Sequence, residues 1–384
     1  MNTIIKNIQI ITPKAIIKQH YLCIQDGKIE AILPDITPYP HADTIIDGLN
    51  QYLSPGFIDI HNHGNSGCDT MDATHQALTT MANYHLNHGV TSFLTATMTN
   101  PIDRIKQALS NVATYIKKQS KETSSVLGIY LEGPYFNAIK KGAQPLDAIK
   151  DPNIHEIESL IKVSQNTIKV VALAPELPLA SETITYLLQH DIKVAIGHSN
   201  ASYDEAKHAI DLGATISTHL YNGMKAFTHR EPSIIGACLT EDTLYTELIC
   251  DNIHLHKAAI DIAKRCKGND KIILISDAMR AAGLPDGTYD LGGQQVIAKD
   301  HVARLKNGAL AGSTLNLNLA VKHMIKHFNT PLIDAVNMAT INPAKAIGVD
   351  TTLGSIEVGK QADLLLFDGD IQISHVFKYG KMIK

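Results

Sequence analysis

The sequence predicts an α/β fold: a (β/α)8 TIM barrel with a small β-sandwich domain built from both chain termini. Two patterns support this fold class. The middle of the chain alternates between short apolar runs and helical stretches, as successive βα units do. The two ends consist of short strands separated by turn residues. We therefore expect 1–53 and 346–384 to form the small domain and 54–345 to form the barrel.

The terminal segments share a strand-and-turn character. Near the start, Asp26 and Gly27 stand between two apolar runs, which is a hairpin signal. The closing stretch is interrupted by Gly354, Gly359 and Gly380 in the same way. Because each end supplies only a few short strands, we expect the two ends to pair into one sheet domain beside the barrel.

The barrel strands are predicted from apolar runs, several of them near-continuous, as is typical of strands buried on both faces. The expected strands are 57–63, 90–97, 126–132, 169–174, 193–198, 215–219, 246–251 and 271–277. Helices are expected at 72–87, 101–119, 182–190, 203–212 and 257–267. Eight strands within roughly 290 residues match the usual size of such a barrel.

Side chains of the kind that bind metal ions stand at the ends of these strands. They are His61, His63, Glu132, His198, His219 and Asp277. The carboxyl ends of barrel strands converge on one face, so these distant residues are expected to meet there. Residues two apart in a strand point to the same side, so His61 and His63 can bind one ion together. Four imidazoles and two carboxylates at one face predict a metal-dependent hydrolase.

The composition is that of an ordinary globular protein, with 44% hydrophobic and 19% charged residues and a net charge of −4. This charge predicts neither a nucleic-acid nor a membrane partner. The five cysteines include no CxxC pair, which favours free thiols in a reducing compartment. The first residues lack a cationic region and a long apolar run, so we expect a cytoplasmic protein.

The motifs around these residues carry a family resemblance. They include PGFIDIHNHG, YLEGPYFN, IGHSNA, THLYNGM, HREPSIIGA, DNIHLH, SDAMRAAGLPDG, LAGSTLNLN and GSIEVGKQADLLLFD, and extend from about Pro55 to Asp368. On these motifs the chain resembles the amidohydrolase superfamily and, within it, the family of N-acetylglucosamine-6-phosphate deacetylases. The resemblance implies an enzyme that removes the acetyl group from N-acetyl-D-glucosamine 6-phosphate, giving D-glucosamine 6-phosphate and acetate.

The same resemblance implies the roles of individual residues. Glu132, His198 and His219 correspond to the core metal ligands, and His61 and His63 match those members that hold a second metal. Asp277 corresponds to the general base that later acts as general acid. Substrate contacts carry over to Ala143, Asn222, Gly223, Arg230, Asp251, His254, Leu310, Ala311 and Gly312.

The resemblance also implies a cofactor and an assembly. We expect one or two divalent ions per subunit, Zn or Fe first and Co or Mn as alternatives, because mixed imidazole and carboxylate ligands suit all four. In the family the residue equivalent to Arg230 reaches the substrate of the neighbouring subunit, which implies a homodimer. A planar guanidinium is well suited to bind a phosphate.

Four positions depart from the family pattern and leave the preferred sugar open. Gln144 stands where His is common, Gly223 where Ala is usual, and Asn252 and Ser233 where Gly is usual. Gln144, Gly223 and Asn252 are expected near the sugar pocket. A deacetylase for the N-acetylgalactosamine epimer is therefore the closest alternative.

Other classes fit the sequence less well. Another amidohydrolase amidase, of the dihydroorotase or hydantoinase type, would carry a carboxylatable Lys at the end of the fourth strand, where residues 173–176 read Leu-Ala-Pro-Glu. The His-Ala-x-Glu signature of adenosine deaminases is absent. A non-enzymatic metal-binding scaffold would have no need of both Asp277 and Arg230.

Overall fold

The structure is a computed structural model and describes residues 2–384. Its strands are, in chain order, β1 (Asn2–Ile11), β2 (Ile16–Gln25), β3 (Lys28–Pro34), β4 (Thr44–Pro55), β5 (Phe57–Asn62), β6 (Gly64–Asn65), β7 (Cys68–Asp69), β8 (Val90–Ala96), β9 (Ser125–Glu132), β10 (Ile168–Leu173), β11 (Lys193–Ile196), β12 (Ile216–Ser217), β13 (Tyr245–Ile249), β14 (Ile272–Ile275), β15 (Gly287–Leu291), β16 (Gln294–Lys299), β17 (Val302–Leu305), β18 (Leu364–Phe367), β19 (Ile373–Lys378) and β20 (Lys381–Met382). Its α-helices are α1 (His75–Asn87), α2 (Ile102–Ile116), α3 (Ile154–Val163), α4 (Ala180–Gln189), α5 (Tyr203–Leu212), α6 (Ser233–Thr240), α7 (Lys257–Lys267), α8 (Leu317–Phe328), α9 (Leu332–Asn337) and α10 (Ile341–Ala346).

Eight parallel strands form the barrel, in the order β14-β13-β12-β11-β10-β9-β8-β5. The two strands at the ends of this order, β14 and β5, meet and close the ring. There the Asp277 backbone N–H donates to the His61 carbonyl at 2.9 Å, and the Ser276 N–H donates to Asp59 Oδ1 at 3.3 Å. Strands such as β5, β8 and β14 are buried along their whole length, as their apolar composition predicts. The predicted barrel is confirmed.

The predicted strands are all present, but several end earlier than expected. β11 ends at Ile196 and β12 at Ser217, each two residues before the histidine predicted to end the strand. The chain leaves the strand conformation there because His198 and His219 have positive φ angles, 45° and 27°. The bounds of α5 and α7 agree with the expected ranges.

Strands from both termini form a single seven-stranded sheet, in the order β20-β19-β18-β4-β1-β2-β3. β18 pairs antiparallel with β4, and β1 pairs parallel with β4. The strands from the C-terminal end are therefore hydrogen-bonded directly to those from the N-terminal end. Side chains such as Ile5, Leu53, Leu364 and Phe377 form its apolar core. This confirms the predicted small β domain built from the two ends. The expected domain limits at 53 and 346 fall near the end of β4 and at the end of α10.

One sheet was not predicted. β15, β16 and β17 form a three-stranded antiparallel sheet between β14 and α8. Leu291 at the end of β15 lines the cavity at the mouth of the barrel, so this sheet forms part of the site described below. Among residues 2–384, no helix combines the length and apolar character needed to cross a bilayer.

Candidate metal centre

The barrel brings the six predicted side chains together at one face. Glu132 is the last residue of β9 and His61 lies in β5, while the other four follow their strands by one or two residues. The six are His61, His63, Glu132, His198, His219 and Asp277, and each is at most 7% exposed. Residues more than two hundred positions apart therefore meet because they follow parallel strands of one barrel, whose carboxyl ends lie at the same face.

Glu132, His198 and His219 form a tight group. Glu132 Oε1 lies 3.2 Å from the Nε2 atoms of both His198 and His219, and the two Nε2 atoms are 3.1 Å apart. Two ligand atoms that each lie about 2.0 Å from a tetrahedral ion are about 3.3 Å apart. The three distances measured here therefore fit three atoms that bind one ion. The donor set of two imidazoles and a carboxylate also suits a divalent metal.

A second group shares Glu132 with the first. His63 Nε2 lies 3.3 Å from Glu132 Oε2 and 3.2 Å from Asp277 Oδ1. His61 Nε2 lies 3.7 Å from both Glu132 Oε1 and Asp277 Oδ1. Within residues 2–384 this buried His61 nitrogen has no hydrogen-bond partner. A buried nitrogen left unpaired and facing two carboxylates fits a metal ligand.

The electrostatics of the site favour a bound cation. Burial raises the pKa of Glu132, but hydrogen bonds from His198, His219 and His63 outweigh it, and the pKa falls well below its ordinary value. Burial likewise raises the pKa of Asp277. The hydrogen bond from His63 and the charges of the nearby imidazoles outweigh burial, so the pKa falls below its ordinary value. Both carboxylates are therefore anionic, and a divalent ion among them would balance their charge.

Three of these residues have left-handed backbone conformations. The φ angles of His198, His219 and Asp277 are 45°, 27° and 46°. A non-glycine residue in this region costs about 1–2 kcal/mol. Hydrogen bonds hold all three turns. The Asn137 N–H donates to the His198 carbonyl, the Asp277 N–H donates to the His61 carbonyl, and the His219 N–H donates to Glu247 Oε2. Backbone strain of this kind clusters at functional sites.

A cavity of about 180 Å³ opens over the two groups. Most of the predicted substrate contacts line it, namely Ala143, Asn222, Gly223, His254, Leu310 and Gly312. Ala311 is buried beside its two neighbours and is not part of the lining.

Asp251 lies behind the cavity wall and positions His254. Its Oδ2 accepts from His254 Nδ1 at 2.6 Å, and its Oδ1 accepts from the backbone N–H groups of Ile253 and His254. Burial raises the pKa of Asp251, but these bonds lower it more, so the carboxyl remains ionised. Asp251 is not among the residues that line the cavity, and its predicted contact with substrate stays a prediction.

Arg230 lies outside the cavity of its own chain. It is exposed on the loop that precedes α6 and takes no part in lining the site. The structure of one chain therefore does not bring Arg230 to the other predicted site residues.

The four unusual positions have distinct surroundings. Gln144 donates to Glu132 Oε2 at 2.7 Å and accepts from the Thr99 N–H at 2.9 Å, so it orients a proposed ligand. Gly223 has a φ of 63°, and a Cβ there would lie 2.7 Å from His198 Nδ1. Asn252 and Ser233 have φ angles of 65° and 58°, the conformation that glycine adopts most easily. Asn252 is exposed and, contrary to expectation, does not line the cavity.

Sequence reasoning missed Glu247. This residue lies in β13, is fully buried, and contacts both His61 and His219. A carboxylate inside an apolar strand was a visible signal, because such a group is rarely buried without a partner. Its partners could not be identified from sequence, since His61 is 186 positions away.

Comparisons with known proteins agree with this geometry. Residues 52–383 match the profile of the Amidohydrolase family. The N-acetylglucosamine-6-phosphate deacetylase of Vibrio furnissii is 43% identical over 359 residues, covering 94% of this chain and 89% of that protein. The N-acetylgalactosamine-6-phosphate deacetylase of Escherichia coli O157:H7 is 38% identical, covering 100% and 99%. The crystal structure of N-acetylglucosamine-6-phosphate deacetylase from Pasteurella multocida superimposes with a TM-score of 0.94 at 33% identity, covering 100% and 99% of the two chains.

Proposed function

The chain belongs to the amidohydrolase family, and we propose that it is a deacetylase that hydrolyses N-acetyl-D-glucosamine 6-phosphate to D-glucosamine 6-phosphate and acetate. The observation that supports this most directly is the convergence of Glu132, His198 and His219, with Asp277 beside them at the floor of a cavity. Relatives that carry this activity by name cover nearly the whole chain.

The metal would be held first by Glu132, His198 and His219, and a second ion by His61, His63 and the shared Glu132. A divalent ion in such a site lowers the pKa of water and polarises the carbonyl that is attacked. We propose Zn or Fe, with Co or Mn as alternatives, and one or two ions per subunit. Ligand type alone does not select among these metals, so their availability in the cell decides.

Asp277 is the proposed acid and base of the reaction. Its carboxylate is anionic, buried beside both ligand groups and part of the cavity wall. It would accept a proton from the attacking water and deliver that proton to the departing amine. His254 lines the same cavity, its ring is held by the 2.6 Å contact between Nδ1 and the Asp251 carboxylate, and we propose that it contacts the substrate.

The central experiment measures acetate release from N-acetylglucosamine 6-phosphate and from its galactosamine epimer, together with metal content. We expect Asp277→Asn to retain the metal and to lose turnover by about 10²–10⁴-fold, the usual contribution of general acid–base catalysis. Substantial activity in that variant would show that Asp277 is not the acid and base. Hydrolysis of neither sugar by the metal-loaded enzyme would contradict the function itself. The galactosamine epimer is the second candidate, supported by the similarity to the Escherichia coli relative.

We also propose a homodimer in which Arg230 reaches the phosphate bound in the neighbouring subunit. This exposed guanidinium lies outside its own cavity, and a planar fork of donors suits a phosphate. Mixing inactive Arg230→Ala with inactive Asp277→Asn subunits should restore activity, because one site of each hybrid dimer then has both residues. Hybrids that form and remain inactive would contradict the arrangement.

We propose that the enzyme acts in the cytoplasm, where its five cysteines stay reduced; none of them forms a disulfide. We also propose that 54–345 is the barrel domain and that 1–53 and 346–384 form the small domain. Limited proteolysis that cleaves near these limits would support the division.

A further inference from the structure

Glu247 is a buried carboxylate that the proposed reaction does not use. It lies in β13, in the wall of the barrel, and its side chain has no solvent exposure. It is not among the residues that line the cavity. Burying a carboxylate is unfavourable unless hydrogen bonds and charges compensate, so its partners account for its presence.

Two proposed metal ligands are hydrogen-bond partners of Glu247. Its Oε2 lies 3.1 Å from His61 Nδ1 and accepts from the His219 backbone N–H at 3.1 Å. A carboxylate oxygen accepts from an N–H, so this contact places a hydrogen on His61 Nδ1. The lone pair of His61 Nε2 is then directed toward Glu132 and Asp277, each 3.7 Å away.

The His61 ring is held in a second direction by Tyr130. The two rings stack with centroids 4.4 Å apart and an interplanar angle of 27°. The Tyr130 hydroxyl is itself fixed by Thr218 Oγ1 at 2.9 Å. Glu247 therefore fixes rotation of the imidazole within its plane, and Tyr130 fixes its tilt.

We propose that Glu247 is a positioning residue that aligns one ligand from each of the two groups, His61 from the first strand and His219 from the sixth. This proposal rests on the proposed metal centre. Through a single oxygen, Glu247 sets the tautomer of His61 and holds the left-handed turn at His219. Partners of this kind orient metal-binding histidines, and their loss lowers metal affinity by about 10–100-fold.

The test measures metal affinity directly, by competition with a chromogenic chelator on the full chain, together with metal content per subunit. Glu247→Met has a similar length but no acceptor, and we expect about a hundredfold weaker binding. Glu247→Gln keeps an acceptor but loses the charge, and about tenfold is expected because charge-assisted hydrogen bonds are stronger. Thr246→Val is the matched control, since Thr246 is equally buried in the same strand and its hydroxyl has no partner in residues 2–384.

The outcomes separate positioning from a purely structural role. If Glu247 only stabilises the barrel, its variants will unfold at lower temperature but bind metal as the unmodified chain does, which overturns the proposal. Equal losses of affinity in Thr246→Val also overturn it, because strand packing would then be the cause. Should Glu247→Met fail to fold, Glu247→Gln decides, and unchanged affinity in that variant refutes the inference. Metal binding without deacetylation would instead contradict the proposed function alone.

Discussion

Acid should destabilise this protein through His85, a buried imidazole that lies apart from the metal centre. His85 is on α1, is 4% exposed, and packs against Phe93 with ring centroids 4.4 Å apart. Its Nε2 has no hydrogen-bond partner in residues 2–384. Burial, and to a lesser degree the nearby His88, lowers the pKa of His85 from 6.5 to about 3. The folded protein therefore keeps this imidazole neutral at pH values where the unfolded chain protonates it.

The size of the effect follows from this difference in pKa. Above pH 6.5 neither state binds the proton and the folded state has its full stability. Between pH 6.5 and 3 only the unfolded state binds it, so stability is lost as the pH falls. Each pH unit is worth about 1.4 kcal/mol, so about 2 kcal/mol is lost at pH 5 from His85 alone.

The assay compares urea unfolding at pH 7.5 and pH 5 in the unmodified chain and in His85→Leu. Tyrosine fluorescence and circular dichroism can follow unfolding, since the chain has 13 tyrosines and no tryptophan. We expect the variant to lose about 2 kcal/mol less between the two pH values. Asp59, whose pKa burial raises to about 6, faces the same small cavity and is present in both proteins, so the comparison cancels its effect.

His155→Leu is the control for this comparison, because the side chain of His155 is 94% exposed and folding does not bury its charge. It should leave the pH dependence of stability unchanged. If His85→Leu and the unmodified chain lose equal stability on acidification, the imidazole is protonated in the folded state and the reasoning is refuted.

Three further predictions concern the candidate metal centre. Gly223→Ala places a Cβ 2.7 Å from His198 Nδ1 and should weaken metal binding. Gly293→Ala is the control, because Gly293 also has a positive φ but a Cβ there meets nothing within 4 Å, so only stability should fall. Equal metal affinity in both variants would show that His198 adjusts freely. Gln144→Leu removes the donor to Glu132 Oε2, and we expect metal affinity to fall about tenfold by chelator competition. Chelation of bound metal should lower the melting temperature, because an ion present at a hundred times its Kd adds about 2.7 kcal/mol to the free energy of unfolding. An unchanged melting temperature would indicate that the folded state binds no ion.

The strands of the barrel could be predicted because each is an apolar run followed by a polar residue. Their ends could not be predicted as well. His198 and His219 lie beyond the last paired residue, in left-handed conformations that hydrogen bonds to distant segments stabilise. Local residue preferences carry no information about such distant partners, so the sequence indicated which residues meet but not the backbone turn that presents them.

Other parts of the site depend on contacts that sequence patterns do not record. Glu247 was visible as a carboxylate in an apolar strand, but only the closed barrel shows that it binds His61 and His219. The sheet of β15–β17 was missed because its strands are short and partly exposed, so their alternation is weak. Arg230 does not line the cavity of its own chain, so its role in a neighbouring subunit stays a prediction.

The closure of the barrel between β14 and β5 has a consequence for biosynthesis. His61 and His63 leave the ribosome early. Asp277, whose backbone N–H donates to the His61 carbonyl, is made more than two hundred residues later. A nascent chain can thus expose a histidine pair long before its carboxylate partner exists. All five proposed metal ligands precede this last barrel strand in the chain, so we expect early binding of an ion to be possible, whereas the proposed acid and base Asp277 joins the site only when β14 closes the ring.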